Sequence, residues 1–276
     1  MRPAERRGRM EGVTLILALA VLILMSVVMT AAWAYGLKAR NGGWTDVFWT
    51  FGSGGALAGA ALWPLSAGGP EARQWLVAAM VALWALRLGS HLAPRVAHGP
   101  EDPRYARFRE TWGRGYPWKM LGVALPQAPA SALLALSVVA AAHRPGPLDL
   151  RDAAAVLVFA AALAGEALAD GQMRRFRADR RNKGQVMDRG LWAWSRHPNY
   201  VFEWLAWWAY PVMAFDAARP VSWLTLVAPA VMYLLLTRVS GVPPLEEAML
   251  RSRGEAYRAY QARVPAFLPN PFKRFR

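Results

Sequence analysis

Apolar residues gather into seven stretches along the chain, and most of the charge is left in the segments between them. Residues 14–33 run apolar for 20 residues, enough to cross a hydrocarbon core of ~30 Å. Comparable runs follow at 45–65, 75–92, 123–142, 153–170, 200–215 and 221–239. In lipid a helix satisfies its own backbone polar groups. The pattern therefore predicts an all-α, polytopic integral membrane protein of about seven transmembrane helices, organised as one membrane domain over residues 1–276. Gly52, Gly54, Gly55 and Gly59 in the second run predict close helix approach. Pro126 and Pro129 predict a kink where the fourth begins. The Arg-rich start and Ala32-Trp33-Ala34 also suit a signal peptide, but the apolar run exceeds the usual ~7–15 residues of such a core, so a retained first helix is expected.

Composition agrees with this pattern. Of 276 residues, 55% are hydrophobic and 14 are Trp, which excludes an ordinary soluble domain. Cysteine is absent, so disulfides, thiolate catalysis and Cys-bound metal are excluded. The histidines His91, His98, His143 and His197 are too scattered to suggest a metal site. The formal charge of +15 calls for an anionic partner or an anionic leaflet. Nucleic acid does not fit, because the cations alternate with membrane runs and make no continuous face. With seven spans, 25 of the 33 basic residues fall on the face holding the C-terminus and 8 on the other, span-end residues included. The positive-inside rule then places the C-terminus in the cytoplasm, against the vote of the N-terminal arginines. A membrane bordering the cytoplasm is the location this charge bias implies.

Residues 166–203 carry the densest chemistry: eight Lys/Arg lie between Glu166 and Glu203, two acids at membrane depth. Glu166, Asp170, Arg174 and Arg177 are spaced to form one helical stripe. As a group with Arg180, Arg181 and Lys183 they read as a phosphate clamp, for which the arginine fork is suited. In Ser195-Arg196-His197-Pro198-Asn199-Tyr200, Pro198 suits a first helical turn with Ser195 or His197 as cap. The N–H groups freed there favour an anion. Asn199 and Glu203 stand four apart and share a face one turn further in. An acid at mid-membrane costs roughly 2.5–3.5 kcal/mol on insertion scales, so it needs a partner or a ligand.

The pattern Glu166…Asp170…Arg177, then Arg196-His197-Pro198-Asn199-Tyr200-x-x-Glu203, resembles the C-terminal domain of the steroid 5-alpha-reductase superfamily, in particular its bacterial branch. Trp44-Thr45-Asp46-Val47-Phe48-Trp49, Glu101-Asp102-Pro103-Arg104-Tyr105 and Gly241-Val242-Pro243-Pro244-Leu245-Glu246 agree with that branch, and the likeness covers residues 41–276. The resemblance implies a seven-helix membrane enzyme that binds NADPH at its cytoplasmic face. Such an enzyme reduces a carbon–carbon double bond conjugated to a ketone in a lipid-like substrate. Asp170, Arg177, Asn199 and Glu203 match the family's cofactor-holding positions. Glu166 belongs to the same pattern, and Arg174, Arg196, His197 and Tyr200 join the expected cofactor site on spacing and charge. An amide can pair with the nicotinamide carboxamide, a carboxylate can accept from ribose hydroxyls, and the arginines suit the phosphates of NADPH rather than NADH.

Enone reduction also needs a donor at the carbonyl oxygen. Reductases of this kind use a Gln-Glu pair in an early helix and a Tyr three residues before an Arg. This chain offers Asp46 near the first place and Trp84, three before Arg87, at the second. Asp46 reads equally as a replacement acid and as an interfacial cap of the second helix. The segment from Arg87 to Arg109 reads as a basic membrane-surface connection, with Arg104 and Tyr105 near the cofactor mouth. Glu246, in a tail helix, pairs with the basic loops or touches the cofactor; the sequence leaves both open. An isoprenylcysteine-type methyltransferase using S-adenosylmethionine is the alternative, since that family shares Arg-His-Pro-x-Tyr and a C-terminal Glu-Glu helix. The third reading is a non-catalytic protein whose basic loops bind anionic lipid.

Overall fold

The computed structural model describes the backbone of residues 3–64 and 69–268, and side chains from residue 12 onward. Among the described residues all regular structure is helical. Five helical stretches are long and apolar enough to cross a membrane: Gly12–Ala39, Ala72–His98, Pro103–Ala142, Leu150–Ala178 and Pro220–Arg253. They mark the chain as an integral membrane protein. By its internal contacts the chain forms two compact units, one of residues up to 156 with Ala209–Val231, the other of Leu157–Trp208 with residues 232–268.

The first unit is built on α1 (Pro3–Ala39), α2 (Trp44–Ala61), α3 (Ala72–His98) and α6 (Gln127–Ala142). Two shorter helices, α4 (Pro103–Trp112) and α5 (Tyr116–Ala124), lead into α6. Close approach explains how α2 packs against both α1 and α3. A Cβ at Gly52 would lie 2.8 Å from Val28, and one at Gly54 would overlap the Ala85 methyl. Gly89 on α3 answers with the same device, since its Cβ would fall inside the Phe51 ring. Gly55 and Gly59 face open space, so only part of the glycine run serves packing. Around these contacts Met25, Met29, Leu57, Val77, Val81, Leu134 and Val138 are fully buried. The Trp49 indole N–H donates to Ser131 Oγ at 3.0 Å, and Ser131 donates on to the Gln127 carbonyl. The chain turns at Leu125–Pro126, where Pro126 caps α6, in line with the proline-marked break.

At one end of this unit Arg73, 2% exposed, is bound by Asp152 at 2.8 and 2.9 Å and by the backbone carbonyls of the 144–147 turn. Arg144 bridges Asp152 and Asp149 at 2.7 Å each. Its hydrogen bonds hold the exposed Asp149 carboxyl below the usual carboxylate range.

The second unit takes α7 (Leu150–Ala178) from Leu157 onward, then a loop with tight turns at Arg180–Asn182 and Gly190–Ala193, and then α8 (Pro198–Trp207). α9 (Ala209–Ala214) and α10 (Val227–Leu234) as far as Val231 belong to the first unit; the second resumes at Met232, where a π turn at Leu235–Val239 leads to α11 (Val242–Arg253) and α12 (Glu255–Arg263). Gly165 lets α7 and α8 touch, because a Cβ there would overlap the Phe202 ring. The turn at Gly190 (φ 60°) is seated on α7: Leu191 N–H donates to Gln172 Oε1 at 3.0 Å, and the Trp192 indole donates to the Ala169 carbonyl at 3.1 Å.

Candidate active site

The stripe expected on α7 and the motif at the start of α8 meet within the second unit. Glu166, Asp170 and Glu203 are 4%, 7% and 5% exposed. Asn199 Nδ2 donates to Asp170 Oδ1 at 3.4 Å, joining the first turn of α8 to α7. One turn on, Glu203 Oε1 accepts from the Trp207 indole at 3.1 Å. Residues 199, 203 and 207 are thus an i, i+4, i+8 column. Asn199 Oδ1 is buried with no hydrogen-bond partner among the described residues, and so is the indole N–H of Trp208. A native buried polar atom without a partner calls for an explanation, and a ligand donor is one.

Pro198 stands at the first position of α8 and His197 is its N-cap, as expected, but no side chain caps the helix. Ser195 Oγ accepts instead from the His197 N–H at 3.2 Å. Arg174 and Arg177 sit exposed towards the end of α7, and Arg180, Arg181 and Lys183 are exposed in the loop that follows. Arg181 pairs with Asp179 at 2.8 Å, and those hydrogen bonds hold the Asp179 carboxyl below its ordinary value.

Arg196 and His197 are turned to the tail. Arg196 grips Glu246 with Nε at 2.6 Å and Nη2 at 3.0 Å, while His197 Nε2 lies 3.1 Å from Glu246 Oε1. Arg196 Nη1 donates to the carbonyls of Gln261 and Val264. Its guanidinium is thereby occupied by protein acceptors on both arms. The His197 ring stacks on Tyr200 with centroids 5.6 Å apart. Glu246 is the residue whose role the sequence left open; its partners lie 49 and 50 positions away, which no local spacing reveals. Gln172 and Gly165 were also missed, since a glutamine that receives a turn and a glycine under a ring give no signal in a single sequence.

Asp46 and Trp84 belong to the first unit. Asp46 Oδ1 accepts from the Tyr105 hydroxyl at 2.7 Å and Oδ2 from Arg104 at 3.1 Å. The N-cap of α2 is Gly43, with no side-chain cap, so Asp46 fastens α2 to α4 instead of capping its own helix. Gly42 lies flat against Tyr105, where a Cβ would fall 2.7 Å from the ring, and its N–H donates to Glu101 at 2.7 Å. The Trp44–Trp49 and Glu101–Tyr105 segments are thus one hydrogen-bonded knot. Trp84 is 2% exposed and meets Trp49 edge-on at 5.8 Å.

The helices and the buried carboxylate–amide face define a polytopic helical membrane protein with a polar site built between two of its helices. A family model described as "Protein of unknown function (DUF1295)" matches residues 32–264, and the chain belongs to that family. No curated protein and no solved structure matches it.

Proposed function

We propose that the protein is a membrane-embedded, NADPH-dependent reductase of a carbon–carbon double bond conjugated to a ketone, acting on a lipid-like substrate. The observation that carries this reading is the face shared by α7 and α8: three buried carboxylates, and Asn199 with a buried carbonyl oxygen that no donor among the described residues reaches. The donor set fits the cofactor. Asn199 Oδ1 is free to accept from a carboxamide, Glu203 and Asp170 are acceptors for ribose hydroxyls, and the exposed Arg174 and Arg177 suit the phosphates. Glu166 extends the acidic face by one turn of α7, and Tyr200 stacks on His197 at the start of α8. Arg196 and His197 contribute by fixing the start of α8. NADPH, when bound, supplies a hydride; with a proton it converts the enone to the saturated ketone. The protein's own part is to hold the carboxamide, to keep the acids dry and to exclude water.

Asp46 and Trp84, the residues expected on the carbonyl side, lie in the first unit. Asp46 is engaged as an acceptor by Tyr105 and Arg104, and Trp84 is packed on Trp49. The reductase reading therefore rests on the second unit. The likeness to the steroid 5-alpha-reductase superfamily supports it. We further propose seven spans, with α2 and the α8–α9 pair as the two shorter crossings. The C-terminus and the cofactor site then face the cytoplasm of a bacterial inner membrane, as the bias of basic loops favours.

One observation favours the second reading. Arg196-His197 and Glu246, the shared elements of isoprenylcysteine-type methyltransferases, are in contact. Calorimetry of detergent-purified protein with NADPH, NADH and S-adenosylhomocysteine in parallel separates the two. Micromolar binding of NADPH, weaker binding of NADH and loss in Arg177→Ala and Glu203→Ala are expected of the reductase. Equal or tighter binding of S-adenosylhomocysteine reverses the assignment.

A further inference from the structure

We infer that Glu246 is a positioning residue for the cofactor site, a clasp through which the tail hairpin α11–α12 sets the first turn of α8 and so the reach of Asn199. This rests on the reductase reading. Glu246 spends both oxygens on the two residues before Pro198: Oε2 and Oε1 take the Arg196 fork, and Oε1 also meets His197. A fork held at two points fixes orientation as well as distance. The tail holds the same segment at three more places. Arg196 N–H donates to the Pro265 carbonyl at 2.9 Å, Arg196 Nη1 donates to the Gln261 and Val264 carbonyls, and the Tyr260 hydroxyl donates to the Trp192 carbonyl. Within the tail Gln261 Nε2 steadies the clasp by donating to Glu246 Oε2 at 2.8 Å. Below the polar clasp Tyr257, Tyr260 and Val264 are packed with Val186, Met249 and Leu250.

Little slack separates the clasp from the site. Pro198 fixes its own φ, and Asn199 is the next residue. A shift of Arg196 or His197 is therefore passed on to the amide that meets Asp170. Bracing alone does not require this chemistry, because well-packed apolar residues brace a buried contact as well as an ion pair does. Glu247, the neighbouring acid, provides an internal comparison: it is exposed and pairs along its own helix with Arg251 at 3.7 Å.

The test is calorimetric titration of the full-length, detergent-purified protein with NADPH, reading affinity and stoichiometry separately. Positioning predicts that Glu246→Gln keeps its full complement of sites but binds about tenfold or more weakly, as loss of an outer partner does at other preorganised sites. It predicts that Glu247→Gln binds as wild type does. If Glu246→Gln instead loses sites while those remaining bind with unchanged affinity, Glu246 is a brace and the inference fails. Unchanged affinity at full stoichiometry overturns it too, as does equal weakening in Glu247→Gln, which reports bulk charge. Where Glu246→Gln yields no folded protein, Gln261→Ala, which loosens the clasp without removing it, must weaken NADPH in the same sense; wild-type affinity there overturns the inference. Failure of the wild-type protein to bind NADPH at all removes the reductase reading itself, a distinct result.

Discussion

Asn199 donates weakly to Asp170 and keeps its own carbonyl oxygen buried without a donor among the described residues. Such an atom costs about 1–3 kcal/mol of folding free energy, a penalty retained where function needs it. Asn199→Leu is therefore expected to leave thermal stability unchanged or raised in the ligand-free protein, while NADPH affinity falls at least about tenfold, which is ~1.4 kcal/mol. Melting curves and titration on one preparation check both halves, and a variant that melts lower would mean the amide is structural. Burial pushes the Tyr257 and Tyr260 phenols above the ordinary tyrosine value. For an acid raised in the folded state, the contribution is intact below the unfolded value and is lost as pH climbs through the folded one. Stability of the tail is therefore expected to be flat to about pH 10 and to fall above it, read as tyrosinate absorbance rising together with unfolding. At this scale the site was half legible. Asn199 and Glu203 announce themselves by i, i+4 spacing inside an apolar run, whereas the partner of Arg196 does not, because the carboxylate that fills its fork stands 50 residues on.

Between elements, contacts are set by what the helices lack. Gly165 admits Phe202, so Gly165→Val is expected to push α7 from α8 at a cost of about 1–3 kcal/mol and to remove NADPH binding, measured by thermal melting and titration. At the start of α3, Arg73 is enclosed with Asp152 and the carbonyls of the 144–147 turn. Arg73→Met leaves a buried carboxylate with one cation fewer, and roughly 3–5 kcal/mol of stability is expected to go with it; a melting point within a degree or two of wild type would contradict that. Hydropathy predicted where helices lie better than how they end. The sixth run parts into α8 and α9 at Trp208 because Pro211 has no N–H for the Trp207 carbonyl and its ring crowds it. The seventh begins as a 3-10 turn at Pro220–Leu226 and ends in a π turn, neither of which changes the apolar count. Five stretches meet the length and composition of a span, the seventh run among them within Pro220–Arg253, whereas α2 and the divided α8–α9 do not.

For the whole molecule, the absence of cysteine makes topology directly measurable. Single substitutions Arg181→Cys and Arg258→Cys are expected to be shielded from an impermeant maleimide in intact cells, and Arg219→Cys to be labelled. The opposite pattern would put the basic loops outside. Charge bias and apolar length were legible in the sequence because both are sums over many residues. The division into two compact units was not, since it depends on which distant segments pack together. The most direct test of the proposed site uses the tryptophans beside it, Trp192, Trp207 and Trp208. With NADPH added near the wild-type dissociation constant, excitation of tryptophan is expected to give sensitised emission from the reduced nicotinamide in wild-type protein and only a small fraction of it in Asn199→Leu of equal helicity. Sensitised emission of the same strength in that variant, or none in the wild type, would contradict a dinucleotide held by α7 and α8.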